Sequence, residues 1–336
     1  MKEFKHIQTA HCENGVTVKL LKEQGLDWIN EPLAFGMGSG LFYIHIPFLK
    51  VNGGPAISFR SMPGSIFRRT CKVLNIKINR KKFRSKDNAR NYLNEKLNQG
   101  ITVGCQVGVF HLKYFPKEYR FHFNAHNLIV YGKEGNNYLI SDPVMENTTA
   151  LSVDELEKVR FAKGALAPKG HIYYPEKTEK ITNEKIRKGI IKGIKHNVRD
   201  MLYIPARFTG VNGINHTASK IRKWREKHGV RNAGLFLGQI VRMQEEIGTG
   251  GGGFRFLYAA FLEQAAERLN NDKIIRISEE FTKSGDLWRD SALQMAGIYK
   301  GRITSQKDFN DAADIMNEIA SVERKALNDL NKLKLH

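Results

Sequence analysis

Three cysteines in 336 residues are too few for a disulfide framework, which excludes the small secreted scaffolds that depend on one. No stretch approaches the roughly 18 consecutive apolar residues that a membrane-spanning helix requires, so no membrane insertion is expected. The opening residues, Met-Lys-Glu-Phe-Lys-His, carry none of the apolar core of a signal peptide. A reducing, cytoplasmic setting is the resulting expectation. Histidine and cysteine nowhere take zinc-ligand spacing, and His122 and His126 are only a weak pair on one strand, so no metal site is expected. An internal repeat of fixed period and a low-complexity tail are both missing.

Acidic residues are scarce as well. There are 34 Asp+Glu against 54 Lys+Arg, a formal net charge of +20. The excess is concentrated. Arg68, Arg69, Lys72, Lys77, Arg80, Lys81 and Lys82 fall in a stretch from Arg60 to Arg90 opposed only by Asp87, and a second basic stretch runs from Lys185 to Arg231. Such a surface suits an anionic partner through long-range attraction, although a plain solvated basic surface fits equally. Nucleic acid, phosphorylated cofactors and acidic proteins are the candidate partners.

What is present begins with ordinary globular composition: 41% hydrophobic and 26% charged residues, enough to bury a large core. The length suggests two domains. Residues 1–176 read as α+β. A helix is predicted after Cys12, with Val16, Leu20 and Leu21 on one side and Gly25 as its stop signal. A glycine-punctuated loop, Phe35-Gly36-Met37-Gly38-Ser39-Gly40, then leads into a strand from Leu41 to Ile46. A capped amphipathic helix is predicted over Ser85 to Gln99, ended by Gly100, and a strand over Ile101 to Leu112. A hairpin follows, His126–Gly132 with Tyr138–Ser141, turning at Lys133-Glu134-Gly135. A further strand ends near Tyr174. Pro175 to Lys180 reads as a linker, and from Ile181 the pattern turns helical, including Leu257 to Leu269 and a terminal helix from Ala312 to Leu333. The expected division is 1–176 and 181–336.

The chemistry centres on Cys12, His126 and Asp142. Residue 134 is the midpoint between His126 and Asp142, so a three-residue turn there sets the two opposite one another, with Cβ atoms about 4.5–5.5 Å apart. A bulge would slip that register by one. Cys12 stands just before the first predicted helix, where backbone amides favour an anionic sulfur. A cysteine nucleophile needs that favouring, a base, and a third group to hold the base. Each residue also has a plainer reading. Cys12 could be a small buried apolar residue, His126 a core histidine bonded to a carbonyl, and Asp142 before Pro143 the start of a turn. Cys105 lies in an apolar strand and reads as a packed thiol, and Cys71 sits in a basic segment with no base beside it.

The order of these motifs resembles papain-like cysteine enzymes of the bacteriocin-leader-processing type. More specifically, His11-Cys12-Glu13-Asn14, then Glu31-Pro32-Leu33-Ala34-Phe35-Gly36-Met37-Gly38-Ser39-Gly40-Leu41, then Ala125-His126-Asn127 and Ser141-Asp142-Pro143, resemble the butirosin biosynthesis protein H N-terminal family. The stretch from Thr249-Gly250-Gly251-Gly252-Gly253-Phe254-Arg255 to Leu262 is similar to the helical domain of unknown function that often follows it. The resemblance implies a papain-like domain with an antiparallel sheet and a helical substrate or partner domain. It implies acyl transfer from an acyl-carrier-protein thioester to an amine of a small acceptor, in secondary metabolism, with Cys12 as nucleophile, His126 as base and Asp142 as its orienter. Such enzymes usually carry an oxyanion-stabilising Gln about six residues before the cysteine, whereas Gln8 lies four before it. The Cys12 amide, or amides of Gly36, Gly38 and Gly40, are the alternative donors. Glu31 falls in the same motif and is counted with the substrate-binding candidates.

Other motifs carry less. Gly36-x-Gly38-x-Gly40 precedes a strand, the reverse of a dinucleotide-binding loop; it either lets backbone approach a pantetheine arm or makes a tight turn. Gly252 and Gly253, ahead of a helix with Arg255 in its first turn, either hold a phosphate or form a hinge. No bound cofactor is expected, only a phosphopantetheine-linked acyl substrate. An acidic carrier protein would suit the basic surface, while the lack of aromatic interleaving or a DNA-binding motif speaks against nucleic acid. Two rival functions stay open: a cysteine hydrolase or peptidase with the same three residues, and a non-catalytic binding module for nucleic acid or a carrier protein.

Overall fold

A computed structural model describes residues 4–51, 54–247 and 249–335. In chain order the elements are α1 (Cys12–Lys22), α2 (Glu31–Met37), β1 (Leu41–Val51), β2 (Gly54–Arg60), α3 (Ser65–Val73), β3 (Ile78–Lys81), α4 (Lys86–Asn98), β4 (Val103–Val107), β5 (His126–Glu134), β6 (Asn137–Ser141), β7 (Thr149–Ser152), α5 (Val153–Arg160), β8 (Ile172–Pro175), α6 (Asn183–Leu202), α7 (Gly210–Val241, broken at Gly229), α8 (Arg255–Leu269), α9 (Lys273–Tyr299) and α10 (Gln306–Lys332). The fold class is α+β with antiparallel sheets, followed by a mostly helical part. The helix expected after Cys12 and the one capped by Ser85 are present, the latter with the Asn88 amide donating to Ser85 and Gly100 at φ 71° beyond its end.

Several local expectations differ from the structure. Residues 31–37 are helical where a loop was expected at 35–40. The start signal is Asn30, whose side-chain oxygen accepts from the Leu33 amide at 3.1 Å and whose carbonyl accepts from the Ala34 amide at 2.9 Å. The strand predicted to Leu112 ends at Val107, because Val109 turns aside to donate to the Phe123 carbonyl and opens a short 3₁₀ segment. The last helix begins at Gln306, ahead of Ala312, since Ser305 and Asp308 form a capping box.

The chain divides into two compact units, residues 1–34 with 66–182 and residues 35–65 with 183–336. The segment 35–65 thus groups with the helices in the second compact unit.

The first unit is built on a six-stranded sheet of order β3-β8-β4-β5-β6-β7, with every pair antiparallel. Alternation along the strands gives its faces different tasks. Cys105, Val107, Leu128 and Val130 bury against Ala89 and Leu93 of α4 and Leu156 and Val159 of α5. On the other face α1 lies close to the sheet at Gly104, where an added Cβ would meet the Tyr173 ring and Val16.

In the second unit the β1–β2 hairpin joins the five helices α6 to α10. Asn197 of α6 is a buried clamp: its amide donates to the carbonyls of Gly36 and Gly193 at 2.8 Å each, and its oxygen accepts from the Leu41 amide at 3.1 Å. Tyr43, Phe59 and Trp288 pack as an aromatic cluster with centroids 5.1–5.8 Å apart.

Candidate active site

Cys12 is the first residue of α1. His11 caps that helix, its ring accepting from the Asn14 amide at 3.4 Å. The turn leading into the helix is held from two sides. On one, the Glu31 carboxylate accepts from the amides of Ala10 at 2.9 Å and His11 at 2.8 Å and from the Asn14 side chain at 3.3 Å. Burial raises the Glu31 pKa, with these three bonds partly opposing it. On the other, the Thr9 amide donates to the Pro143 carbonyl at 2.7 Å, and His6 bridges Ser141 Oγ at 2.8 Å and the Met145 carbonyl at 2.9 Å. The approach to Cys12 is thereby tied to the loop that bears Asp142. Inside α1, Gly15 faces Pro143 and Thr9 so closely that a methyl group would overlap both.

His126 and Asp142 lie at the same end of the β5–β6 hairpin, but not by the register expected. The turn is Gly135-Asn136, with Gly135 at φ 55°, two residues instead of three. Glu134 pairs with Asn137 and Gly132 with Leu139; a bulge between Val130 and Gly132 then shifts the pairing to Val130 with Ile140 and Ile129 with Ser141. Without the bulge Asp142 would fall on the opposite face from His126. With it Asp142 continues the register opposite Leu128, two residues along from His126 on the same face, and a diagonal neighbour at that spacing is within side-chain reach. The His126 Nε2–H donates to Asp142 Oδ2 at 2.6 Å. Tyr114 donates its hydroxyl to the same oxygen at 2.7 Å, and the Val144 amide donates to Oδ1 at 3.3 Å. Asp142 is fully buried, so these donors are what satisfy it.

Cys12 lies beside the His126 ring, close enough to act on its charge. Burial alone would lower the His126 pKa. The Asp142 charge, then that of Cys12, outweigh it and push it up to about 10. Asn127 completes the immediate surroundings: its Nδ2 lies 4.0 Å from Cys12 Sγ and donates to the Ala125 carbonyl at 3.1 Å, while its oxygen accepts from the Tyr173 hydroxyl at 2.8 Å. Burial pushes up the pKa of both Cys71 and Cys105.

Of the residues singled out from sequence, Cys12, His126, Asp142 and Glu31 are brought together in the first unit. Glu31 consumes backbone donors instead of offering any, which makes it a positioning residue for the Cys12 turn. Gln8 is exposed. Gly36, Gly38 and Gly40 belong to the second unit and are buried; Gly36 lies under the Phe261 ring and Gly40 under the Phe35 ring. The expected phosphate elements are occupied by the protein's own carboxylates. Gly252 donates its amide to Glu245 at 3.1 Å. Arg255 is fully buried and donates to Glu323 at 2.8 and 3.1 Å, with Ser284 and Trp288 also donating to that carboxylate. Gly253 sits against Phe59.

Sequence reasoning assigned no role to Gly15, Tyr114, Asn127 or Tyr173. Gly15 had a signal: a glycine inside a helix costs about 1 kcal/mol and marks a close approach. Tyr114 had none, since it lies between elements and reaches Asp142 only through the fold.

A helix-borne thiol, an imidazole and a buried carboxylate on an antiparallel α+β sheet place the chain among proteins with a cysteine–histidine–aspartate cluster. Its family is the one in which butirosin biosynthesis protein H, N-terminal, matching residues 11–143, is followed by the domain of unknown function DUF4872, matching residues 154–330; the chain belongs to it. The first takes its name from a protein of butirosin biosynthesis. No curated protein matches the chain.

Proposed function

We propose that the protein is a cysteine-dependent acyltransferase of a biosynthetic pathway. It would take an acyl group from a phosphopantetheine-linked thioester, hold it on Cys12 and pass it to an amine of a small acceptor. The observation that carries this reading is a thiol beside an imidazole that donates to a carboxylate, with Cys12 acting on the charge of His126, His126 bonded to Asp142, and that carboxylate held by Tyr114 and wholly removed from solvent. Such an arrangement supplies a nucleophile, a base and an orienter.

The sulfur anion of Cys12 attacks the thioester carbonyl carbon. The resulting tetrahedral centre collapses with loss of the carrier thiolate, which takes the proton from His126. The acceptor amine then attacks the acyl-enzyme, gives its proton to His126, and leaves as the amide, returning the sulfur as an anion. The net charge of +20 supports an acidic carrier protein as the donor. Membership in a family named for butirosin biosynthesis supports a thioester donor over a peptide. The same reading puts the reaction in the cytoplasm, where carrier thioesters are made.

Intact-mass measurement with an acyl N-acetylcysteamine thioester tests it. Wild type gains the acyl mass and Cys12→Ala does not; added amine acceptors then discharge the adduct as amide. Free acid as the sole product would make the protein a hydrolase. No adduct, together with salt-sensitive nucleic-acid binding that Cys12→Ala leaves unchanged, would make it a binding module.

A further inference from the structure

We propose that the side-chain amide of Asn127 is the donor that stabilises the oxyanion formed when Cys12 attacks a carbonyl group, an inference that rests on Cys12 being the acyl-accepting nucleophile. Transfer at a carbonyl needs such a donor, and the residue that sequence spacing offered for it, Gln8, is exposed with no role in the cluster. Asn127 is buried, 3% exposed, and its Nδ2 stands 4.0 Å from Cys12 Sγ.

The orientation of its amide follows from its partners. The Ala125 carbonyl can only accept, so the atom 3.1 Å from it must be the nitrogen. The oxygen therefore faces Tyr173, whose hydroxyl donates at 2.8 Å. That phenol is pushed well above its ordinary range, first by burial and then by the charges of Glu13 and Cys12, so it remains a donor. Nδ2 carries two hydrogens. One is spent on Ala125, and the other is left on the Cys12 side.

The sheet places this amide by alternation. Asn127 pairs with Gln106 across β4–β5, and Tyr173 pairs with Gly104 across β4–β8. All four share the face on which α1 lies, whereas Leu128 and Cys105 point to the opposite core. The distance also suits the task. An oxyanion donor should stand about 2.7–3.1 Å from the oxygen, not from the ground-state nucleophile. At 4.0 Å from sulfur, Nδ2 leaves space for an oxygen on the carbon that bonds to Sγ. As the S–C bond forms, the carbonyl π pair moves to oxygen and is met by the Asn127 N–H. When the carrier C–S bond breaks, the pair returns and Asn127 is unchanged.

Two reactions of Cys12 separate this role from simple support of the thiol. Acylation by an N-acetylcysteamine thioester passes through an oxyanion; alkylation by iodoacetamide does not. Asn127→Leu, of similar size and uncharged but without the donor, and Asn127→Ala should each lower the acylation rate about 10²–10³-fold while alkylation stays within about threefold of wild type. Tyr173→Phe, which frees the amide to turn, should give a smaller loss of the same selective kind. Because unfolding would expose the buried Cys12 to iodoacetamide while abolishing acylation, both rates are measured under conditions where urea melts show each variant fully folded. Equal loss in both reactions, or no loss in acylation, would overturn the proposal. Wild type and Cys12→Ala acylating alike would instead remove the nucleophile reading beneath it.

Discussion

Gly15 of α1 packs directly on Pro143, with no space between them for even a methyl group. The helix that carries Cys12 and the loop that carries Asp142 are thus held at one spacing by a missing side chain. Gly15→Ala is expected to destabilise the protein by about 1–3 kcal/mol through overpacking and to slow Cys12 alkylation by moving α1 outward. Pro143→Gly added to it, which removes the Cβ that the new methyl would meet, should restore part of both. Chemical denaturation and alkylation rates of the three variants check this; an unchanged alkylation rate in Gly15→Ala would show that the contact does not position the thiol.

Asp142→Asn keeps the shape of the cluster but removes the charge that orients His126, and a loss of about 10⁴ in acyl transfer is expected by analogy with other such clusters. Tyr114→Phe removes one donor to the same carboxylate oxygen, which costs about 1–3 kcal/mol when the group is buried, and should reduce transfer by a far smaller factor. A Tyr114→Phe loss as large as that of Asp142→Asn would mean that the phenol acts on the substrate itself.

The His126 titration links this cluster to pH. His126 has a pKa of about 10 in the folded protein against about 6.5 in an unfolded chain. The folded state therefore binds the proton more tightly, and the linked stabilisation is complete below pH about 6.5 and lost as pH rises through about 10. Asp142→Asn removes the largest contribution that raises this pKa. The stability gap between wild type and that variant should accordingly be widest near pH 6 and narrow toward pH 10 in urea melts. A gap that grows with pH would reverse the assignment. Cys12→Ala, which removes the second contribution, should lower the His126 titration by less than Asp142→Asn when both are followed by NMR.

Glu31 holds the Ala10 and His11 amides. Glu31→Ala leaves both without their partner, a cost of about 1–3 kcal/mol, and loosens the turn before Cys12. The expected signature is slower alkylation of Cys12 with the His126 resonance of the folded protein unmoved. A displaced His126 resonance would show that Glu31 acts on the whole cluster and not on the turn.

Arg255 and Glu323 form a fully buried ion pair. Removing one partner, as in Arg255→Met, should cost about 3–5 kcal/mol, because a lone carboxylate is left in the interior. The double variant Arg255→Met with Glu323→Leu should regain much of that loss. If the double variant is as unstable as the single, the pair itself is what holds α8 against α10.

Much of this protein is written locally. The cap before α4, the glycine after it, the helix that starts at Cys12 and the hairpin between His126 and Asp142 all rest on residues within a few positions of one another, where short-range sterics and hydrogen bonding decide the outcome. The same kind of signal at Asn30 and at Ser305 was present and pointed to α2 and to the true start of α10. What no local signal carries is the register of that hairpin. A two-residue turn and one bulge together decide which face Asp142 occupies, and a bulge reflects the packing of the whole sheet. The role of the glycines is likewise invisible in sequence, since Gly36 and Gly40 could be flexible or crowded until their neighbours are known.

The sequence by itself determined the class of fold, the family, and the three residues worth watching, because residue type and helix-terminal position restrict chemistry strongly. Only the tertiary structure decided that His126 donates to Asp142 with Cys12 beside it, that Tyr114, Asn127 and Tyr173 surround them, and that Arg255 answers to Glu323. The physical reason is separation along the chain: Cys12 and His126 are brought side by side only when a helix and the end of a central strand have packed, and that free energy is spread over the core instead of residing in either residue.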